Sequence, residues 1–399
     1  MQLTKGYTII IDWLEAKGFK PFLFQEQTWQ HIITGDSGLV NAPTGCGKTF
    51  SVFLGSIIDF INRHPSDYKK MTGSGLQLLW ITPLRALAKD IGRAMQEVIE
   101  ELDMSWEIGI RNGDTSTAER TKQKKRMPEV LIITPESLHL LLAQKGYPDI
   151  FKSLKIIAVD EWHELLGSKR GVQVELAISR IIGCGNSGVS IWGISATIGN
   201  LEEAKEVLLS TLKQNGVIVK ATIQKQIEVE SIIPDEIEKY PWAGHLGIKL
   251  AHKIIPIIQQ SRTTLIFINT RGMSETWYQT LLDVCPDLAG SIALHHGSID
   301  MELRTWIEDN LHNGNLKAVV CTASLDLGVD FRPVETVIQV GSPKGVARFL
   351  QRAGRSGHSP DAISKIYFLP THSLEPVSYT HLDVYKRQVL IYDNKNTTL

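Results

Sequence analysis

At 399 residues the chain exceeds what one hydrophobic core usually supports, so two domains are expected. With 43% hydrophobic and 21% charged residues and a net charge of −1, it reads as a soluble globular protein without a broadly basic surface, although a local basic cleft can still gather phosphates. No apolar run approaches the roughly 18 residues of a membrane span, and Met1–Ile11 lacks the basic-then-apolar order of a secretory signal, so the expected location is cytoplasmic.

An amphipathic stretch, Tyr7–Lys17, opens the chain, followed by Gly18–Gln25 and a helix over Glu26–Thr34. Gln25 is a candidate adenine reader, because a side-chain amide can pair with both donor and acceptor of that base edge. Leu39-Val40 then leads into Ala42–Thr49, Ala-Pro-Thr-Gly-Cys-Gly-Lys-Thr, which opens the helical run Thr49–Phe60. A Gly-rich loop between strand and helix points backbone N–H groups at an anion. Thr44, Gly45, Cys46 and Gly47 form this loop. Lys48 can reach the β/γ oxygens of a nucleoside triphosphate, and Thr49 can ligate Mg²⁺. The strict pattern begins with Gly where this chain has Ala42. Cys46 reads as filler or as a thiol of lowered pKa, and no Cys-x-x-Cys pair indicates zinc.

Short apolar runs at Gln77–Ile81, Val130–Ile133, Ile156–Val159 and Ser190–Ile194 alternate with helical patterns at Leu84–Leu102, Thr115–Lys125, Pro135–Ala143, Val172–Ile182 and Leu201–Leu212. Such alternation predicts a parallel sheet wrapped by helices. Lys122, Lys124, Lys125 and Arg126 form the densest basic run, read as a solvated helix face or a flank for nucleic acid. The pattern breaks over Gly216–Gly244, an acidic stretch. A second set of strands follows at Thr264–Ile268, Ser291–Leu294, Lys317–Val320, Thr336–Val340 and Lys365–Leu369. The expected lobes are 1–215 and 216–376. Residues 377–388 back-translate to an inverted repeat like two head-to-head transposon ends used in sequencing libraries, so 377–399 is set aside as an assembly artefact.

The strand Ile156–Val159 delivers Asp160 and Glu161 to its C-terminal end, where ligands of open α/β sheets bind. Asp160 is placed to hold Mg²⁺ and Glu161 to deprotonate an attacking water; in isolation such a pair is also a common helix start.

With these residues the chain resembles superfamily 2 helicases of the Asp-Glu-x-His type, in collinear order from Gln25 to His358. The matching segments include Thr82–Arg85, Gly113–Thr115, Thr134–Ser137, Ser195–Thr197, Phe267–Arg271, His295–Ser298, Thr322–Asp330 and Gln351–His358. Asp160–Gly171 and Pro241–Gly247 look like the large helicase-related (Lhr) branch. The resemblance implies two tandem RecA-like α/β domains with ATP and Mg²⁺ in a cleft between them. It implies a translocase that moves 3′-to-5′ along single-stranded DNA, loads on 3′-tailed duplexes and serves repair. It also implies further domains, winged-helix included, before which the chain stops.

Thr82, Arg85, Thr134, Thr270, Arg271 and Thr322 fall just past strands and can contact sugar–phosphate; any single Thr also suits a helix cap. His163, Ser195 and Thr197 are candidates to relay nucleotide state, with a merely structural His163 the alternative. Arg355 is the expected charge clamp on the γ-phosphate, a role sharpened because relatives carry an Arg where this chain has His358. Arg352 is either a second clamp or an internal ion-pair partner, and Gln351 positions water or phosphate. Two other readings are weighed: an RNA or RNA–DNA hybrid helicase, and a nucleotide-gated clamp that does not unwind.

Overall fold

The computed structural model describes residues 4–43, 45–185, 188–196, 198–212, 215–223, 227–233, 246–326, 334–343, 345–357 and 363–371. Thr44, Thr197, His358 and the segment 372–399 lie outside the described residues. The chain divides into two compact units, 1–223 and 224–399.

In the first unit α1 (Lys5–Ala16) and α2 (Leu23–Ile33) precede β1 (Gly38–Asn41) and α3 (Lys48–Arg63). The chain continues through β2 (Leu78–Ile81), α4 (Arg85–Glu101), β3 (Ile108–Arg111), α5 (Thr117–Lys125), β4 (Val130–Ile133), α6 (Pro135–Leu142) and α7 (Tyr147–Ile150). It ends with β5 (Ile156–Val159), α8 (Trp162–Leu165), α9 (Lys169–Gly183), β6 (Ser190–Ser195), α10 (Leu201–Leu209) and β7 (Val217–Lys220). The strands form one parallel sheet in the order β3-β4-β2-β5-β6-β1-β7. Alternate residues of each strand enter opposite cores: Leu78, Trp80, Val130 and Ile132 join one cluster, while Leu79, Ile81, Leu131 and Ile133 join the other. This period of two across a sheet covered on both faces is why the strands read as continuous apolar runs.

The second unit holds β8 (Ile227–Ser231), α11 (Leu246–Lys249), α12 (Ala251–Gln260), β9 (Thr263–Phe267), α13 (Arg271–Val284), β10 (Ile292–His295), α14 (Met301–His312), β11 (Ala318–Cys321), β12 (Val334–Val340), α15 (Val346–Ala353) and β13 (Ser364–Leu369). Its parallel sheet runs β10-β11-β9-β12-β13-β8. The same alternation divides Ile266, Val320 and Ile338 from Leu265, Val319 and Val337.

Three strands lie outside the sequence reading. β3 is a short run ending in Arg111, and β7 falls where the pattern was read as breaking. β7 pairs with β1, so the first sheet extends past the lobe boundary expected after residue 215. β8, Ile-Glu-Val-Glu-Ser, was absorbed into the acidic stretch; it is an edge strand, which tolerates alternate glutamates.

Candidate nucleotide site

β1, β6 and β5 are successive neighbours in the first sheet, so their C-terminal ends bring together the Gly-rich loop, Ser195 and the Asp160-Glu161 pair. Ala42 N–H donates to the Ser195 carbonyl at 3.1 Å, and Asn41 Nδ2 to the Ala196 carbonyl at 2.9 Å. These bonds tie the loop's entry to the end of β6. Gly45 and Gly47 take left-handed backbones, φ 82° and 71°, a region glycine enters without steric cost. At Gly47 a Cβ would also stand 2.9 Å from Gln25 Nε2.

α3 begins at Lys48, so Lys48 and Thr49 occupy its first turn, where free N–H groups and the positive dipole end favour an anion. Lys48 is 8% exposed, and its Nζ is buried with no hydrogen-bond partner. An unpaired buried ammonium is costly, and a phosphate oxygen is the acceptor such a position lacks. Gln25, expected to read adenine, also contacts the loop. As the third residue of α2 it accepts from Phe22 N–H at 2.9 Å and donates to the Gly47 carbonyl at 3.0 Å. Its amide braces the loop with one N–H and one lone pair, and a second of each remains. Cys46 is buried, in keeping with filler.

Asp160 and Glu161 are both buried. Burial first, and then the Glu161 carboxylate, push the Asp160 pKa up to about 7, with Lys48 pulling the other way. Such a carboxylate gains from a nearby cation. Asp160 Oδ1 accepts from Glu161 N–H at 2.9 Å. Glu161 sits at φ 47°, a left-handed backbone rare for a side-chain-bearing residue. Its Oε2 has no hydrogen bond and lies 3.4 Å from His163 Nδ1. The same Nδ1 is 3.2 Å from Ser195 Oγ. Burial holds the His163 pKa below its ordinary value despite Glu161, and Lys48 adds to the lowering, which favours the neutral ring. Two of the three expected relay residues therefore meet beside Glu161.

In the second unit Gln351, Arg352 and Arg355 are buried on and just after α15. Of the two readings of Arg352, the surroundings favour the internal one. Its Nε and Nη2 donate to Asp326 at 2.6 and 3.1 Å, Nη1 donates to Gln339 Oε1 at 2.7 Å, and the guanidinium lies over the Phe267 ring. This is the arrangement of an internal ion-pair partner: three of the five guanidinium N–H donors are bonded inside the unit.

The profile of the family described as DEAD/DEAH box helicase matches residues 22–205, and that described as Helicase conserved C-terminal domain matches 248–359. ATP-dependent helicase Lhr-Core protein 2 of Thermococcus barophilus is 36% identical over 350 residues, 84% of this chain and 40% of the relative. The chain belongs to the Lhr family of DEAD/DEAH-box helicases. ATP-dependent helicase Lhr-Core of Methanocaldococcus jannaschii is 33% identical, over 96% of this chain and 45% of its own length. The structure of Mycobacterium smegmatis helicase Lhr bound to ssDNA and AMP-PNP aligns with a TM-score of 0.79 at 31% identity, over 91% of this chain and 47% of that one. This Lhr-family chain thus spans under half the length of these relatives.

The residues expected to touch nucleic acid have mixed surroundings. Arg85 is exposed and bound to Asp114 at 2.6 Å; Arg271 is exposed and bonds the Ser298 hydroxyl. Thr82 is fully buried, and its hydroxyl has no hydrogen-bond partner. Thr134 is buried and bonds Ser137 Oγ at 3.2 Å. Thr270 caps α13, accepting from Met273 N–H at 3.4 Å, and Thr322 precedes a short helical turn. Asn41 and Gln339 were not singled out in the sequence, and Asp114 and Asp326 stood there only within matching segments. A buried Gln in the apolar run of β12 was the available signal for Gln339.

Among the described residues no group of three acidic, His or Cys side chains could hold a metal, and no helix is long and apolar enough to cross a membrane.

Proposed function

We propose that this chain hydrolyses ATP and uses the cycle to move 3′-to-5′ along single-stranded DNA, in repair and in the cytoplasm. The observation that carries the proposal is Lys48, a buried ammonium without an acceptor, in the first turn of α3 and close enough to Asp160 to lower its pKa. Lys48 and the loop N–H groups bind the phosphates. Thr49 and Asp160 would hold Mg²⁺, which neutralises charge on the phosphate oxygens. Neutral His163 and the Ser195 hydroxyl orient Glu161, which takes the proton of the attacking water. Arg355 is assigned to the charge that develops on the transferred phosphoryl group, and Gln351 to positioning beside it. The named ligands of the Mycobacterium smegmatis relative, ssDNA and AMP-PNP, support both halves of this reading.

The test is nucleotide turnover with and without single-stranded DNA. Glu161→Gln should bind ATP yet lower kcat by about 10²–10⁴, and Lys48→Ala should lose turnover. DNA-stimulated hydrolysis at the parent rate in either variant refutes the site. Stronger stimulation by RNA than by DNA overturns the DNA assignment, and hydrolysis without displacement of a 3′-tailed duplex leaves a clamp.

A further inference from the structure

Arg111 ends β3, the edge strand of the first sheet, where the loops carrying Thr82 and Thr134 also begin. Its carbonyl accepts from Thr134 N–H at 3.3 Å. Along β3, Gly109 and Arg111 share a face, and a Cβ on Gly109 would meet Pro128 and Gln123, so that face lies under α5. Arg111 is only 6% exposed, yet Nη1 is buried with no hydrogen-bond partner. Arg120, on α5, is close enough that its charge, after burial, lowers the Arg111 pKa. Arg120 Nη2 donates to the Asn112 carbonyl at 3.0 Å, while its Nε is also buried without an acceptor. Among the described residues neither arginine pairs with a carboxylate. The nearby Asp114 is bound to Arg85.

Two like charges held together, each with an occluded donor unmet, are unfavourable in the free protein. An anion removes both penalties at once, and a phosphate matches guanidinium geometry best. We propose that Arg111 and Arg120 form a joint binding site for one phosphodiester of the single strand, at the C-terminal end of β3. Because Arg111 is buried, contact with that phosphate requires its side chain to rotate from under α5. The inference rests on the strand-binding reading above and adds an anchor at the edge of the first unit.

The experiment measures binding of a labelled oligothymidylate to the full chain across a salt series. Parent, Arg111→Met, Arg120→Gln and Arg111→Lys are compared, with thermal midpoints of each free protein. Arg111→Met and Arg120→Gln should each weaken binding about tenfold and reduce the slope of log affinity against log salt by about 0.7. Arg111→Lys should keep the slope, and the free Arg111→Met protein should melt no lower than the parent because a repulsion is gone. Parent affinity and slope in both neutral variants overturn the site. So does weakened binding with an unchanged slope and a lower midpoint, which marks a packing role. If inorganic phosphate alone raises the parent midpoint but not that of Arg111→Met, while strand affinity is unaltered, the site takes a free anion and the proposal fails. A parent that binds no strand at all removes the underlying reading instead.

Discussion

Removing Arg352 tests whether its charge is structural or catalytic. Its guanidinium is 2% exposed and Asp326 5%, with three hydrogen bonds under 3.2 Å holding it. Arg352→Ala leaves a buried carboxylate whose remaining cation, Arg348 at 3.2 Å, is itself a third exposed. Breaking one side of a buried pair costs about 3–5 kcal/mol. At about 2–4 °C per kcal/mol for a unit of this size, the second unit's transition should fall by about 6–20 °C. Calorimetry of the whole chain resolves this, since the first unit's transition should stay in place. The double variant Arg352→Met with Asp326→Leu should recover most of the loss, because apolar replacement of both partners is often neutral. Parent-like melting of Arg352→Ala together with lost hydrolysis would refute the structural assignment and restore the clamp.

Gly47→Ala should weaken binding of a fluorescent ATP analogue and destabilise the first unit by about 1–2 kcal/mol, because the left-handed backbone and the Gln25 contact both resist a Cβ. Parent affinity and stability would show that the loop's conformation is not required. Asp114→Asn should change the thermal midpoint by the equivalent of less than about 1 kcal/mol, as an exposed pair does. It should tighten strand binding by freeing Arg85 and removing a negative charge; weaker binding would show that Asp114 orients Arg85 for the strand.

The strands buried on both faces were legible because their apolar runs had nothing else to be; the positions of Asp160 and Glu161 followed from a strand ending just before them, and that of Lys48 from a Gly-rich loop between strand and helix. β3 and β8 were not, since an edge strand needs only one apolar face and its polar residues mimic a loop. The bond from Gln25 to the Gly47 carbonyl was not legible, because the helix starts at Leu23 rather than Glu26 and helix starts are poorly fixed by periodicity. Arg352 could not be settled in sequence because its partners, Asp326 and Gln339, are contributed by another loop and a distant strand. Thr82 and Thr134 read as surface hydroxyls on position alone, while their burial depends on neighbouring strands and helices.

The unusual main-chain geometry of Glu161 has a practical consequence for anyone engineering this protein for robustness. Replacement by glycine would relax that residue and should raise the melting temperature while deleting the carboxylate proposed above as general base. A screen that rewards heat tolerance alone would therefore enrich inert molecules, and directed evolution here has to be scored on turnover from the first round.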